Sequence, residues 1–260
     1  MPAPALSKPR DRRNTREFYA SAKVTIREDL TAAHARAWER IGNPGTWWDG
    51  AQRVAIAAET RHAPYCALCR RRKQALSPAA IEGKHDSLDE LPETVIEVIH
   101  HVRTDPGRLS ERWFRDVIAA GLGEEEYVET VSIVAHVVAI DTMARGIGFE
   151  PLALPQPRPG QPSQYRPSGA KRGDAWVPWI EPPDLSEVEA GIYPVGRPAA
   201  NIMKAMSLVP DEVRSFFDIV SHQYQRPLEM RDFSHEYRAI SHAQIELLAA
   251  RVSALNQCLY

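Results

Sequence analysis

The chain has 260 residues, of which 43% are hydrophobic and 25% charged, with a formal charge of −2. That length suits one large domain or two small ones, and the near-balanced charge gives no electrostatic reason to bind nucleic acid. Three cysteines exclude a secreted disulfide scaffold, and the N-terminal stretch lacks the apolar core of a signal peptide, so a cytoplasmic protein is expected. The longest apolar run, 131–140 with His136 inside it, is well short of the roughly 20 residues of a membrane helix, and no membrane span is expected.

Residues 1–23 contain Pro and Arg without a sustained apolar period and read as a flexible tail. A helix over 29–40 follows, stopped by Gly42-Asn43-Pro44-Gly45. The next apolar face, from Trp47 through Val54, Ile56, Ala57 and Ala58, must break near His62–Ala63, because Pro64 lacks an N–H and its ring clashes with the preceding turn. A new helix from Pro64–Cys66 then places Cys66 and Cys69 in its first turn, where unpaired N–H groups and the positive dipole end favour a thiolate. Arg61, Arg70, Arg71 and Arg72 are expected to favour it further. Such a Cys-x-x-Cys pair can alternate between dithiol and disulfide, the reading favoured here; the alternatives are half of a zinc site or two inert buried thiols.

Helical spacing of Leu88, Leu91, Val95, Val98, Ile99 and Val102 predicts a helix over 87–102, ended by Thr104-Asp105-Pro106-Gly107. Ser110 caps 111–120, Gly121 ends it, and 124–145 opens acidic and closes on Arg145, as the helix dipole favours. Residues 150–183 are too rich in Pro for a regular helix or a central strand and read as a linker anchored by Trp176 and Trp179. Helices over 202–208 and 211–224 follow, and Ser241 caps a last amphipathic helix with Ile245, Leu248, Ala249, Val252 and Leu255 on one face, ending at Asn256. Cys258-Leu259-Tyr260 then looks like the start of a second copy of the Cys66 element.

These residues resemble the alkylhydroperoxidase D / carboxymuconolactone decarboxylase family, all-helical proteins whose redox members carry Glu, then Cys-x-x-Cys, then His. Glu246, twelve positions before Cys258 in HAQIELLAARVSALNQC, matches the helix leading to the family's first active-site Cys; Cys66-Ala67-Leu68-Cys69 and the helices to Gly148-Phe149-Glu150-Pro151 resemble the rest of such a domain. The likeness is closest to the alkylhydroperoxidase-related selenoprotein subgroup. It implies an all-α chain of two tandem domains: tail 1–23, first domain 24–150, linker 151–185, and a second domain 186–260 cut at its active-site motif.

The activity implied is thiol-dependent reduction of hydroperoxides as antioxidant defence, Cys69 attacking the O–O bond and Cys66 resolving the disulfide. An external dithiol protein would reduce the pair, no metal, flavin or haem is implied, and family members assemble through helical faces into homo-oligomers. Val54 and Lys73 occupy the places of the family's Glu and His, so Glu59, His62, His85, His101 and His136 become candidate proton donors, Glu59 reaching the thiols after the chain folds back, and turnover is expected to be weak. Catalytic candidates are therefore Cys66, Cys69, Cys258 and Glu246. The alternatives are a binding or assembly module with a degraded site, and a zinc-stabilised helical protein. The stop two residues past Cys258 falls where the attacking residue belongs, which leads to the expectation that Tyr260 is not the natural end and that a selenocysteine codon follows.

Overall fold

A computed structural model of the protein describes residues 15–196, 198–226 and 228–258. Most of the expected tail (1–14) and the last two residues, Leu259 and Tyr260, lie outside the described residues. The fold is all-α, and among the described residues a short antiparallel sheet pairs β1 (Ala170–Lys171) with β2 (Trp179–Ile180).

Part of the stretch expected as a tail is helical. Thr15–Ala20 forms a short helix, α1, because Phe18 and Tyr19 are buried in the main core, Phe18 edge-on to Phe149. Helix α2 (Glu28–Gly42) stops where Asn43-Pro44-Gly45 follows. Helix α3 (Gly50–His62) starts from a capping box in which Asp49 accepts from Gln52 N–H and the Gln52 side chain accepts from Asp49 N–H. It breaks where Pro64 requires, into a single 3₁₀ turn at Ala63–Tyr65. Helix α4 (Ala67–Gln74) begins again at once, with Cys66 as its N-cap.

Helix α5 spans Glu93–Thr104, six residues later than the apolar spacing suggests. Pro92 fixes the boundary: it fits immediately before the first helical residue but would break a helix running through it, so 81–91 stays irregular and is free to fold over α4. Ser110 caps α6 (Glu111–Ala119), and α7 (Glu124–Gly146) is the longest element. By length and apolarity α7 would suffice to cross a bilayer, unlike the expectation from the 131–140 run alone. Here it is a core helix against α3 and α5, with Ile133, Val137 and Ile140 buried beside Ile56, Val95, Val98 and Ile99. Each such side chain contributes about 1.5–3 kcal/mol.

The Pro-rich stretch is packed on the bundle: Arg158 N–H donates to Gly42 C=O (2.8 Å), Gln164 N–H to Thr46 C=O (2.7 Å), and Val177 and Ile180 are buried. Helices α8 (Asn201–Met206), α9 (Pro210–Gln223) and α10 (His242–Leu255) complete the order. Helix α9 packs on α2 and α7. There Glu212 joins Arg40 and Arg53, while Arg53 also pairs with Glu129. Gly45 lies over this pair so closely that a Cβ would collide with the Glu129 carboxylate. Helix α10, by contrast, leaves Leu247, Leu248, Val252 and Leu255 exposed.

Candidate functional site

The α3–α4 break turns the chain so that both Cys-x-x-Cys sulfurs point into the protein. Cys66 and Cys69 are buried together with Leu68, and the Cys69 backbone N–H approaches Cys66 Sγ at 3.5 Å, the contact of a sulfur placed at a helix N-terminus. The irregular segment 81–91 closes over them. Asp86 accepts from Ala67 N–H (2.7 Å), and Leu88 N–H donates to Glu59 Oε2 (2.9 Å), which pins the segment at both ends of the turn.

Immediately before those anchors His85 enters the site, with Nδ1 3.5 Å from Cys66 Sγ and 3.4 Å from Cys69 Sγ. Helix α5 supplies His100, whose Nδ1 lies 3.3 Å from Cys69 Sγ. Each imidazole is held from behind by a carboxylate: His100 Nε2 is 2.7 Å from Glu59 Oε1, and His85 Nε2 is 2.8 Å from Glu97 Oε2. Glu97 is also bonded by Trp113 Nε1 (2.9 Å) and Arg72 (3.0 Å). The site thus consists of two sulfurs, two imidazoles and two carboxylates, arranged as two parallel Cys–His–Glu chains.

Electrostatics divide the two thiols. The hydrogen bond between them pulls the Cys66 pKa far down and pushes that of Cys69 up; burial opposes ionisation of both, and the two histidines support the Cys66 thiolate. The directions of the two shifts favour ionisation of Cys66 over Cys69. Position adds a smaller contribution in the same direction: Cys66 is the N-cap and accepts from the Cys69 N–H, whereas Cys69 lies inside the first turn. Burial lowers the pKa of His85, but the Cys66 thiolate and Glu97 outweigh it and raise the value to about 9. Burial likewise opposes protonation of His100, and the thiolate and Glu59 again prevail. Glu97 is held well below the usual carboxylate range, because His101, His85, Trp113 and Arg72 together outweigh its burial.

The arginines expected to tune the thiols act elsewhere. Arg61 forms a two-pronged pair with Asp141, Arg72 holds Glu97, and Arg70 and Arg71 are exposed. Of the candidate proton donors, Glu59 and His85 belong to the site, Glu59 through His100 rather than by touching a sulfur. His101 packs on Trp113 near Glu97. His62 ends α3 with its Nε2 buried and without a hydrogen-bond partner. His136 is in the other polar cluster, bonded to Ser132 C=O (2.7 Å) and Ser215 Oγ (2.9 Å). Glu246 accepts from the Tyr224 hydroxyl, and Cys258 lies exposed after α10, whose C-terminal end rests against Gly107 in the turn after α5.

Sequence reasoning missed His100 and Glu97. Their signal is subtle: in ETVIEVIHH, His100 falls on the buried face four residues after Ile96, where a histidine reads as core, while the partly exposed His101 beside it looks the more available. A cavity of about 380 Å³ opens next to the site, lined by Arg72, His85, Glu97 and Trp113 but by neither sulfur. Comparison of the chain with protein-family models, curated proteins and solved structures finds no match.

Proposed function

We propose that the protein reduces hydroperoxides through a dithiol/disulfide cycle at Cys66 and Cys69, as its resemblance to the alkylhydroperoxidase D family implies. The observation that carries this reading is the pairing of each sulfur with a histidine backed by a buried carboxylate. The proton relay missing at Val54 and Lys73 is supplied in space by Glu59 with His100 and by Glu97 with His85.

The Cys66 thiolate attacks the terminal oxygen of the hydroperoxide; the O–O bond breaks, and the departing alkoxide takes a proton from His85, cationic at neutral pH, to leave as alcohol. Cys66 is then a sulfenic acid. Cys69 then attacks the Cys66 sulfur: the S–S bond forms as the S–O bond breaks, and the proton that Cys69 gives up, relayed along the His100–Glu59 side, ends on the departing hydroxide, which leaves as water. An external dithiol protein returns two electrons and two protons. Substrate approaches from the His85 side, and because His85 stands between that cavity and the sulfurs, turnover is slow unless 81–91 moves. The same resemblance carries the proposals of a homo-oligomer and a second, C-terminal site involving Glu246 and Cys258, while the cysteine usage carries that of a cytoplasmic location.

Trapping experiments on the full chain test the roles. With one equivalent of cumene hydroperoxide, Cys69→Ser should stop at a Cys66 sulfenic acid that dimedone captures, while Cys66→Ser should give at least tenfold less trapped product. Equal capture in the two variants would contradict the assignment of Cys66 as the attacking residue.

A further inference from the structure

We infer that the reduced protein binds one zinc ion through Cys66 Sγ, Cys69 Sγ, His85 Nδ1 and His100 Nδ1. These four atoms, from the α3–α4 break, the 81–91 segment and α5, all lie within 4.8 Å of one another. A tetrahedral zinc ion with Zn–S near 2.3 Å and Zn–N near 2.05 Å separates neighbouring S and N ligands by about 3.5 Å. The three S···N approaches here are 3.5, 3.4 and 3.3 Å, so a metal would fit among the ligands with little rearrangement.

The surroundings match as closely as the ligands. Both histidines present the same nitrogen, Nδ1, to the centre, and both place Nε2 on a carboxylate, the outer arrangement that fixes tautomer and ring direction in zinc sites. His100 and Glu59 are wholly buried, and side-chain packing holds them in place before any ion arrives. Two thiolates and two imidazoles suit zinc better than calcium or magnesium, which prefer oxygen. Four protein ligands also leave no open position, so the ion is structural and tethers 81–91 and α5 to the Cys-x-x-Cys turn.

This goes beyond the dithiol cycle in assigning the site a metal; one consequence, release of the ion, rests on that cycle. When a hydroperoxide oxidises the pair, two Zn–S bonds break and one S–S bond forms. The two thiolates lose two electrons to the O–O bond, which takes up two protons and leaves as alcohol and water, and Zn²⁺ departs. Peroxide would thereby free the lid formed by 81–91.

The test uses the full chain, reduced, stripped with a chelator and then offered one equivalent of Zn²⁺ or Co²⁺. Expected are one tightly held metal per chain after gel filtration, a raised Tm with Zn²⁺, and thiolate-to-Co²⁺ charge-transfer bands with the visible spectrum of a tetrahedral site. His85→Ala, in the partly exposed segment and thus the variant best placed to fold, should bind at least tenfold more weakly. Wild-type protein that retains no metal and gives no tetrahedral cobalt spectrum overturns the inference, even if peroxide still produces the disulfide. Metal bound without any disulfide formation in the stripped protein would instead leave the zinc site standing and remove the dithiol cycle.

Discussion

His34 shows how burial sets the chemistry of one side chain. It is wholly buried, its Nδ1 lies 2.6 Å from the Tyr19 hydroxyl, and its Nε2 has no hydrogen-bond partner. Burial, helped slightly by His222, drives its pKa down from 6.5 to about 4. The unfolded chain therefore binds a proton below pH 6.5 that the folded chain refuses until about pH 4, and His34 makes stability fall as pH drops through that window. The loss is about 3 kcal/mol. Urea unfolding at pH 7 and pH 4 should show the wild type losing about that much relative to His34→Gln; parallel profiles would contradict the assignment. At this scale the sequence was informative where chemistry depends on local spacing. Cys66, Cys69 and the folding back of Glu59 were legible because Pro64 dictates the turn. His100 and Glu97 were not, since a helical histidine on an apolar face carries no mark of what it will meet across the bundle.

Helices could be read from the sequence where a cap or a breaker was strong: Ser110 and Ser241 each open a helix with a side-chain oxygen on a free N–H, and α4 starts where the Pro64 break allows. Asp49 with Gln52 opens α3 in the same way, a cap that the sequence reading passed over. Asp49→Ala removes one half of the α3 capping box and should cost about 1 kcal/mol in urea unfolding; a change below about 0.3 kcal/mol would show that tertiary packing alone holds this end. The element that misled was α5. Its apolar period extends backwards through Leu88 and Leu91, but Pro92 cuts the helix, and the freed segment becomes the cover that carries His85. The same contrast explains α1, where Phe18 and Tyr19 find a core that the local composition of the tail does not reveal.

At the scale of the whole molecule, all-α architecture could be read from caps, breakers and periodicity, whereas the way the C-terminal helices meet the rest could not. Charged Glu212 opens α9 as an ordinary first-turn acid, yet it is fully buried and holds Arg40 at 2.8 Å, Arg53 at 3.2 Å and the Ser132 hydroxyl at 2.6 Å. Those two arginines overcome its burial and keep it ionised. Glu212→Ala leaves the guanidiniums short of a counter-charge and should destabilise the chain by about 3–5 kcal/mol, measured by chemical denaturation; a cost under 1 kcal/mol would mean that α9 is held by its apolar face instead. The central claim concerns the other buried cluster, and one kinetic comparison reaches it directly. Reduced, metal-stripped wild type and His100→Asn, matched for helicity by circular dichroism, are each mixed with one equivalent of cumene hydroperoxide while alcohol and the Cys66–Cys69 disulfide are followed by mass spectrometry. The account predicts one alcohol and one disulfide per wild-type chain, with disulfide closure about 10²–10⁴-fold slower in His100→Asn. Wild-type thiols that stay reduced, or equal rates in the two proteins, would contradict it.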